Sequence, residues 1–271
     1  MTGASGKKKP FDPNLPRRFF SAMVLIPIGL FAVWQGGIYL ALLALCAAGG
    51  MAFEWSRMIR TDLPRFLIFS AMLANAVFLI DPRWALMCLS ACGVLAMAIE
   101  MRKGANTPVL LGVLYTGGIP LAMQALRAAP EAGQLLAIGI LVITWASDTF
   151  AYFVGRYFKG PLLAPQDSPN KTWSGAIGGL LGSIIIAGLY AGLFAIPVIA
   201  WMLAGFVISL SAQIGDLFES QIKRRHGIKD TSGFLPGHGG LMDRLDGLGM
   251  ACFIIFLLSV IIPNLGLALS G

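Results

Sequence analysis

Long apolar runs decide what this 271-residue chain can fold into. A helix needs about 20 mostly apolar residues to cross the hydrocarbon core of a bilayer. Nine runs approach that length, near residues 19–36, 38–56, 66–80, 84–99, 107–126, 133–154, 175–194, 196–217 and 248–268. A soluble domain averages about 25% charged residues, whereas 12% of this chain is charged and 57% is hydrophobic. The sequence therefore predicts an all-α, polytopic integral membrane protein with about nine transmembrane helices.

The basic residues predict how these helices are oriented. With the N-terminus in the cytoplasm and the spans alternating, 18 of the 20 Lys and Arg residues fall on the cytoplasmic side, and only Arg83 and Arg127 fall on the other. Cytoplasmic loops carry an excess of Lys and Arg. We therefore expect a cytoplasmic N-terminus and a periplasmic C-terminus in a bacterial-type inner membrane. The same distribution explains the net charge of +7 without a nucleic-acid partner.

The pattern divides the chain into three parts. Residues 1–18 form a basic cytoplasmic tail, 19–130 the N-terminal transmembrane helices, and 131–271 a transmembrane region that holds the candidate catalytic groups. The orientation places two polar loops, 155–174 and 222–247, on the same cytoplasmic side. All four cysteines lie within apolar runs and lack partners for a metal site, so we interpret them as packing residues.

The C-terminal end of the eighth span carries the first candidate group. Asp216, Ser220 and Lys223 are spaced i, i+4 and i+7, which places them on one helix face. A carboxylate there can bind Mg²⁺, while a serine and a lysine can hold phosphate oxygens. Glu219 lies off this face, and we expect it to orient a neighbour. The alternative is a helix end whose polar residues simply meet water, although charge near a membrane is expensive.

A glycine-rich turn and two aspartates follow. The sequence Gly237-His238-Gly239-Gly240 precedes a helix, where glycines let backbone amides approach an anion closely. Asp243 and Asp246 share a face at i and i+3, and such carboxylates repel unless a cation lies between them. Mg²⁺ takes oxygen ligands and keeps several waters, so these two aspartates and Asp216 are the candidate metal ligands. We interpret both histidines as polar contacts.

A third polar element spans the sixth helix and the loop after it. Asp148 interrupts an apolar run, and Tyr152 lies one turn further on. The loop carries Ser168, Lys171 and Thr172, of which the last two can reach a phosphate. The alternative for this loop is a helix cap. Acidic, basic and glycine-rich elements converging at one membrane surface are typical of metal-assisted phosphoryl or nucleotidyl transfer.

The whole set resembles the signature of the CDP-diacylglycerol synthases, also called phosphatidate cytidylyltransferases. That pattern is Ser-x-apolar-Lys-Arg, then Lys-Asp, Pro-x-His-Gly-Gly and Asp-Arg-x-Asp, and every element occurs in register within Ser220–Asp246. Upstream, Ser147-Asp148-Thr149, Gly155-Arg156 and Ser168-Pro169 resemble the family as well. The departure is Ser174, which stands where the family usually has glutamate.

The resemblance implies transfer of CMP from CTP to phosphatidic acid, with Mg²⁺ as cofactor and a second, monovalent cation left open. It implies that the catalytic residues are Asp216, Ser220, Lys223, Asp243 and Asp246. The implied phosphate-binding residues are Lys171, Thr172, Lys223, Arg224, Lys229, His238, Gly239, Gly240 and Arg244. Asp148, Tyr152 and Ser168 are expected as further polar residues of the site. A homodimer is implied by the resemblance alone.

Two other functions stay open. A CTP-dependent kinase of a lipid alcohol such as a polyprenol or phytol uses related chemistry, but it releases CDP and a lipid phosphate. A cation-coupled transporter would show flux across vesicles without nucleotide dependence. The transporter is disfavoured because the polar groups gather on one side of the membrane, whereas transporter sites lie near the midplane.

Overall fold

The computed structural model describes residues 15–104, 108–130, 132–234, 239–262 and 269, and the side chains from Ser21 onward except Ala22. Within these residues the chain forms nine helices and one short hairpin. They are α1 Leu15–Gln35, α2 Gly37–Ile59, α3 Pro64–Val77, α4 Pro82–Arg102, α5 Val109–Arg127, α6 Gly133–Phe158, β1 Leu162–Ala164, β2 Ser168–Thr172, α7 Trp173–Leu193, α8 Val198–Arg225 and α9 Met242–Ile261. Most of the predicted basic tail, 1–18, lies outside the described residues.

The described helices are those of a membrane protein. Seven of them are long and apolar enough to cross a bilayer, whereas α3 and the apolar part of α1, Met23–Gln35, are shorter. The prediction of an all-α, polytopic integral membrane protein is confirmed. The fourth predicted span was short, yet α4 has 21 residues, while α3 has only 14.

The two polar loops are narrower than predicted. Helix α6 continues to Phe158 and α7 begins at Trp173, so the first loop is 159–172 rather than 155–174. Helix α8 continues to Arg225 and α9 begins at Met242, so the second is 226–241 rather than 222–247. The apolar runs underestimate the length of these helices, because the end of a helix in water is stabilised by caps and favourable charges rather than by hydrophobic residues.

A small antiparallel hairpin fills the first polar loop. Strands β1 and β2 pair with Leu162 opposite Thr172 and Ala164 opposite Ser168, with an irregularity between the two pairs. The strands have three and five residues, too short for an alternating pattern to be recognised in the sequence. The hairpin was therefore not predicted, and it brings the end of β2 to the start of α7.

Helix α5 lies at the centre of the bundle. Its apolar stretch is 72% buried within the protein, against at most 44% for the other six long helices. On one side it joins a buried cluster with α2, α3 and α4 that includes Trp55, Leu67 and Val113. On the other side it joins a cluster with α6 to α9 that includes Ile140 and Trp201. Both halves of the chain therefore pack against α5, which holds them together so that both can contribute residues to one site.

Close packing of α6 on α7 depends on two glycines. A Cβ at Gly178 would lie 2.5 Å from the Cβ of Val154, and one at Gly182 would lie 2.3 Å from the Cγ of Phe150. Small residues let membrane helices approach in this way. The contact fixes α6, which carries Asp148, against the helix that follows the hairpin.

Other polar side chains inside the bundle are structural. Gln124 Nε2 donates a hydrogen bond to Asn75 Oδ1 at 2.8 Å. Arg127, at the end of α5, donates to the carbonyls of Val33 and Trp34 at 2.7 and 2.8 Å, and so satisfies oxygens that have no partner within α1. Pairing of this kind is required wherever water is absent.

Candidate active site

One end of the bundle brings together the C-terminal ends of α2, α6 and α8 and the N-terminal ends of α7 and α9. A cavity of about 340 Å³ at this end, named the charged cavity below, is lined by Asp148, Asp216, Lys223, Asp230, Asp243, Arg244 and Asp246. Six of these seven were predicted site residues. The seventh, Asp230, was missed as a site residue, although it follows Lys229 within the signature stretch.

Helix α8 forms one wall of the charged cavity. The predicted face is present, since Ser220 Oγ donates to Asp216 Oδ1 at 3.4 Å and Lys223 lies on the same side of the cavity. Asp216 also forms an ion pair with Lys171, which is the fourth residue of β2. The hairpin therefore supplies a cation that pairs with a carboxylate of the cavity lining, and phosphate binding by Lys171 stays a prediction.

Lys223 is a buried cation held between two carboxylates. Its side chain is 11% exposed, and its Nζ lies 2.6 Å from Asp243 Oδ1 and 3.2 Å from Glu219 Oε1. Glu219 is itself buried and accepts a hydrogen bond from the Tyr115 hydroxyl of α5 at 3.2 Å. The neighbour that Glu219 orients is therefore Lys223, one helical turn further along α8.

Asp243 organises the turn before α9. Its Oδ2 accepts hydrogen bonds from the Gly240 N–H at 2.8 Å and the Thr231 N–H at 3.0 Å, and it lies 3.0 Å from the Thr231 hydroxyl. A carboxylate in the first turn also interacts favourably with the helix dipole. Gly240 is buried here, and a Cβ would lie 1.8 Å from Thr231 Oγ1, so only glycine fits.

The carboxylates of the charged cavity suit a hard cation. Oxygen atoms of the substrate would complete the coordination of that cation. Asp246 Oδ1 accepts a hydrogen bond from the Gly247 N–H at 2.8 Å, and Asp148 of α6 lines the same cavity. Among the described residues no three Asp, Glu, His or Cys side chains are close enough to hold a metal by themselves. Mg²⁺ commonly uses one or two carboxylates together with waters and substrate phosphates. The oxygen donors present therefore fit Mg²⁺ bound together with a nucleotide.

Arg224 and Lys229 are two of the predicted phosphate ligands that do not line the charged cavity. Arg224 is exposed, and its guanidinium donates to the carbonyls of Asp167 at 3.3 Å and Ile228 at 3.2 Å. This contact ties the turn of the hairpin to the second polar loop. Lys229 is exposed on that loop and does not line the cavity.

The remaining predicted residues have mixed placements. Thr172 Oγ1 accepts from the Gly175 N–H at 3.1 Å and caps α7, which is the alternative considered for this loop. The Tyr152 hydroxyl accepts from the Arg156 guanidinium at 2.8 Å. Ser168 is the first residue of β2, and His238 lies outside the described residues. Phosphate binding by Thr172 and His238 stays a prediction, as does the place of Tyr152 and Ser168 among the polar residues of the site.

Ser174 holds the first polar loop at the position where the family usually has glutamate. Its hydroxyl donates to the Lys159 carbonyl and lies 3.1 Å from Thr172 Oγ1. The serine therefore links the end of α6 to the start of α7, beside the hairpin that presents Lys171.

Glu54 is a second residue of this region, besides Asp230, that the sequence motifs missed. It lies on α2, is 1% exposed, and accepts hydrogen bonds from the second polar loop and the start of α9. Its only signal in the sequence is an isolated acid within a predicted span, which marks a functional candidate in a membrane protein.

A second cavity, of about 410 Å³, adjoins the charged one and is named the apolar cavity below. It lies among α1, α2, α5, α6 and α9, and its lining includes Leu30, Leu43, Met123 and Leu248. Arg244 lines both cavities. Arg244 therefore stands where a charged space meets a space suited to hydrocarbon.

Comparison with known proteins agrees with this geometry. The model of the cytidylyltransferase family matches residues 16–262, and the chain therefore belongs to that family of enzymes. The phosphatidate cytidylyltransferase of Brucella abortus biovar 1 is 36% identical over 261 residues, covering 92% of this chain and 94% of that protein. That of Haemophilus influenzae is 30% identical over 275 residues, covering 88% and 96%, and that of Rickettsia conorii is 31% identical over 208, covering 71% and 90%. The family resemblance drawn from the signature is confirmed.

Proposed function

We propose that this protein is a phosphatidate cytidylyltransferase, which transfers CMP from CTP to phosphatidic acid and releases pyrophosphate. The observation that carries the proposal is the position of Arg244, which lines both the charged and the apolar cavity. One substrate is a nucleoside triphosphate and the other a phosphate with hydrocarbon chains, so adjoining charged and apolar spaces match the pair. The names of the relatives point to the same reaction.

The charged cavity is proposed to face the cytoplasm, where CTP is available. Nine spans with a cytoplasmic N-terminus and a periplasmic C-terminus place 18 of the 20 Lys and Arg residues on that side. The protein then lies in a bacterial-type inner membrane.

Mg²⁺ is the proposed cofactor, with Asp216, Asp243 and Asp246 as the candidates for its one or two carboxylate ligands, since no three acidic side chains of the described residues converge on one point. Of these, Asp243 has the fewest free lone pairs, because it accepts from Lys223 Nζ and from the N–H groups of Gly240 and Thr231. When bound, the ion would neutralise charge on the phosphates and on the departing pyrophosphate.

The protein groups would act by positioning and by neutralising charge. A phosphatidate oxygen attacks the α-phosphorus of CTP in line, forming the new P–O bond as the bond to the bridging oxygen breaks. Pyrophosphate leaves with that electron pair. Lys223 and Arg244 line the space where these anions meet, and Lys171 lies at its edge, paired with Asp216. A phosphomonoester has a second pKa of about 6 and is already anionic near neutral pH, so no strong general base is required.

The apolar cavity would bind an acyl chain of phosphatidic acid. Its lining from α1, α2, α5, α6 and α9 is almost entirely hydrocarbon, and burying each CH₂ group contributes about 0.8 kcal/mol. Arg244, at the junction, would then hold the lipid phosphate beside the α-phosphorus of CTP.

The test is an assay of purified protein in detergent with phosphatidic acid, Mg²⁺ and CTP labelled in its α-phosphate. We expect label in the lipid phase and one pyrophosphate for each labelled lipid. Folded protein that transfers no label to phosphatidic acid would overturn the proposal. Transfer of the γ-phosphate to a lipid alcohol would indicate the CTP-dependent kinase instead.

A further inference from the structure

Glu54 of α2 is hydrogen-bonded to the segment that carries the glycine turn and the start of α9. Its Oε1 accepts from the Ser232 hydroxyl at 2.5 Å and the Leu241 N–H at 2.8 Å. Its Oε2 accepts from the Met242 N–H at 2.8 Å and lies 3.0 Å from the Thr231 hydroxyl, whose one proton either Glu54 or Asp243 can accept. With 1% of its surface exposed, this carboxylate is satisfied entirely by one short stretch of chain.

These contacts supply the cap that α9 lacks within its own sequence. The N–H groups of Leu241 and Met242 have no acceptor inside the helix, and no side chain at the N-cap provides one. A carboxylate from another helix takes that role and also interacts favourably with the helix dipole. Hydrogen bonds to an ionised acceptor are roughly twice as strong as neutral ones, so the start of α9 is held firmly.

The contacts of Glu54 are linked through Thr231 to Asp243, which lines the charged cavity. Thr231 Oγ1 lies 3.0 Å from Glu54 Oε2 and also 3.0 Å from Asp243 Oδ2. Between the two carboxylates stands Gly240, whose N–H donates to Asp243 and whose missing Cβ would lie 2.8 Å from both oxygens of Glu54. Glu54 and Asp243 therefore hold the same turn from opposite sides.

We propose that Glu54 is a positioning residue of the site. It does not line the charged cavity, and it acts by fixing the turn at Gly240 and the first turn of α9, and through them Asp243 and Asp246. The proposal rests on the proposed function, since the placement it fixes is that of the groups assigned to the nucleotide phosphates.

The test variant is Glu54→Gln, which preserves the shape of the side chain. The amide retains one acceptor oxygen but turns an NH₂ group toward two donors. A hydroxyl of Thr231 or Ser232 can rotate and accept from it, whereas a backbone N–H of Leu241 or Met242 cannot. One helix N–H therefore loses its acceptor, and the N-terminus of α9 loses one of its negative charges, that of Asp243 remaining.

Glu100→Gln is the matched control. Glu100 is also a buried glutamate, 3% exposed, and lies near the end of α4. It accepts a hydrogen bond from the Thr61 hydroxyl at 2.5 Å, so the substitution perturbs a buried carboxylate away from the second polar loop.

Two readouts separate positioning from a merely structural role. For Glu54→Gln we expect the half-saturating CTP concentration to rise about tenfold, and the amides of residues 239–242 to exchange hydrogen faster. A structural role would reduce the number of folded molecules, which lowers the maximal rate without changing half-saturation. Glu100→Gln is expected to leave both readouts within twofold of the unsubstituted protein.

An unchanged half-saturating CTP concentration overturns the proposal, whatever the loss of maximal rate. So does unchanged hydrogen exchange at residues 239–242. If the unsubstituted protein transfers no CMP, the proposed function fails, and the exchange comparison then decides by itself whether Glu54 fixes this segment.

Discussion

Lys223 Nζ lies 2.6 Å from Asp243 Oδ1, and this ion pair joins the end of α8 to the start of α9. Both side chains are buried, with 11% and 7% of their surfaces exposed, and a second carboxylate, Glu219, lies 3.2 Å from the same Nζ. The lysine therefore holds two acidic groups together at the base of the charged cavity. Its removal affects both stability and chemistry.

Replacing Lys223 with alanine tests this pair. The substitution leaves Asp243 and Glu219 buried without their cation, and breaking a buried pair costs about 3–5 kcal/mol. We expect a clearly lower midpoint of thermal unfolding in detergent, together with loss of CMP transfer. Lys229→Ala, which removes an exposed lysine from the adjacent loop, should leave the midpoint unchanged. Equal midpoints for the two variants would show that the buried pair contributes nothing.

Gly240→Ala tests the turn that precedes α9. The new Cβ would lie 1.8 Å from Thr231 Oγ1 and 2.8 Å from the Glu54 carboxylate, so the turn must shift. We expect CMP transfer to fall by at least about tenfold, the effect of a change of roughly 1.4 kcal/mol in the barrier. Gly233→Ala is the control, because a Cβ there meets nothing within 4 Å. Wild-type rates in Gly240→Ala would contradict the close packing of this turn.

Partial filling of the apolar cavity should affect the lipid substrate alone. Gly29 lines this cavity, and a Cβ at that position meets nothing within 4 Å, so Gly29→Leu is expected to fold. We predict a several-fold higher KM for long-chain phosphatidic acid, measured in mixed micelles, with an unchanged KM for CTP. Gly192→Leu adds the same side chain at another open position, away from the cavity, and should change neither value. An effect on CTP instead of lipid would place the acyl chain elsewhere.

Removal of divalent cations should stop the reaction. The cavity offers carboxylate oxygens, which suit Mg²⁺, and Mg²⁺ is the ion that commonly completes its shell with substrate phosphates. We expect excess EDTA to reduce label transfer to background and added Mg²⁺ to restore it. Undiminished transfer in EDTA, with CTP freed of divalent ions, would exclude the proposed metal.

Local spacing was enough to predict much of the site. Asp216, Ser220 and Lys223 share a face because i, i+4 and i+7 positions always do within a helix. Asp243 and Asp246 come together through the same periodicity at the start of α9. The apolar runs likewise predicted the membrane helices, since length and hydropathy are sufficient for that inference.

Long-range contacts were beyond that kind of reasoning. Glu54 is 177 residues away from Thr231 in the sequence, and nothing in α2 indicates that its one buried acid caps α9. The ion pair of Lys171 with Asp216 depends equally on how the hairpin folds over α8. Thr172 had two interpretations, as phosphate ligand or as cap, and its hydroxyl caps α7 because that helix begins at the next residue.

The most direct measurement compares the unsubstituted protein with Asp246→Asn in the transfer of α-labelled CMP to phosphatidic acid. Asp246 lines the charged cavity one turn from Asp243, and the amide keeps its size while removing its charge. We predict robust transfer by the unsubstituted protein and a loss on the order of 100-fold or more in the variant, with both eluting alike as folded protein from size-exclusion chromatography. Wild-type transfer by Asp246→Asn, or no transfer by the unsubstituted protein, would contradict the assignment of CMP transfer to this cavity.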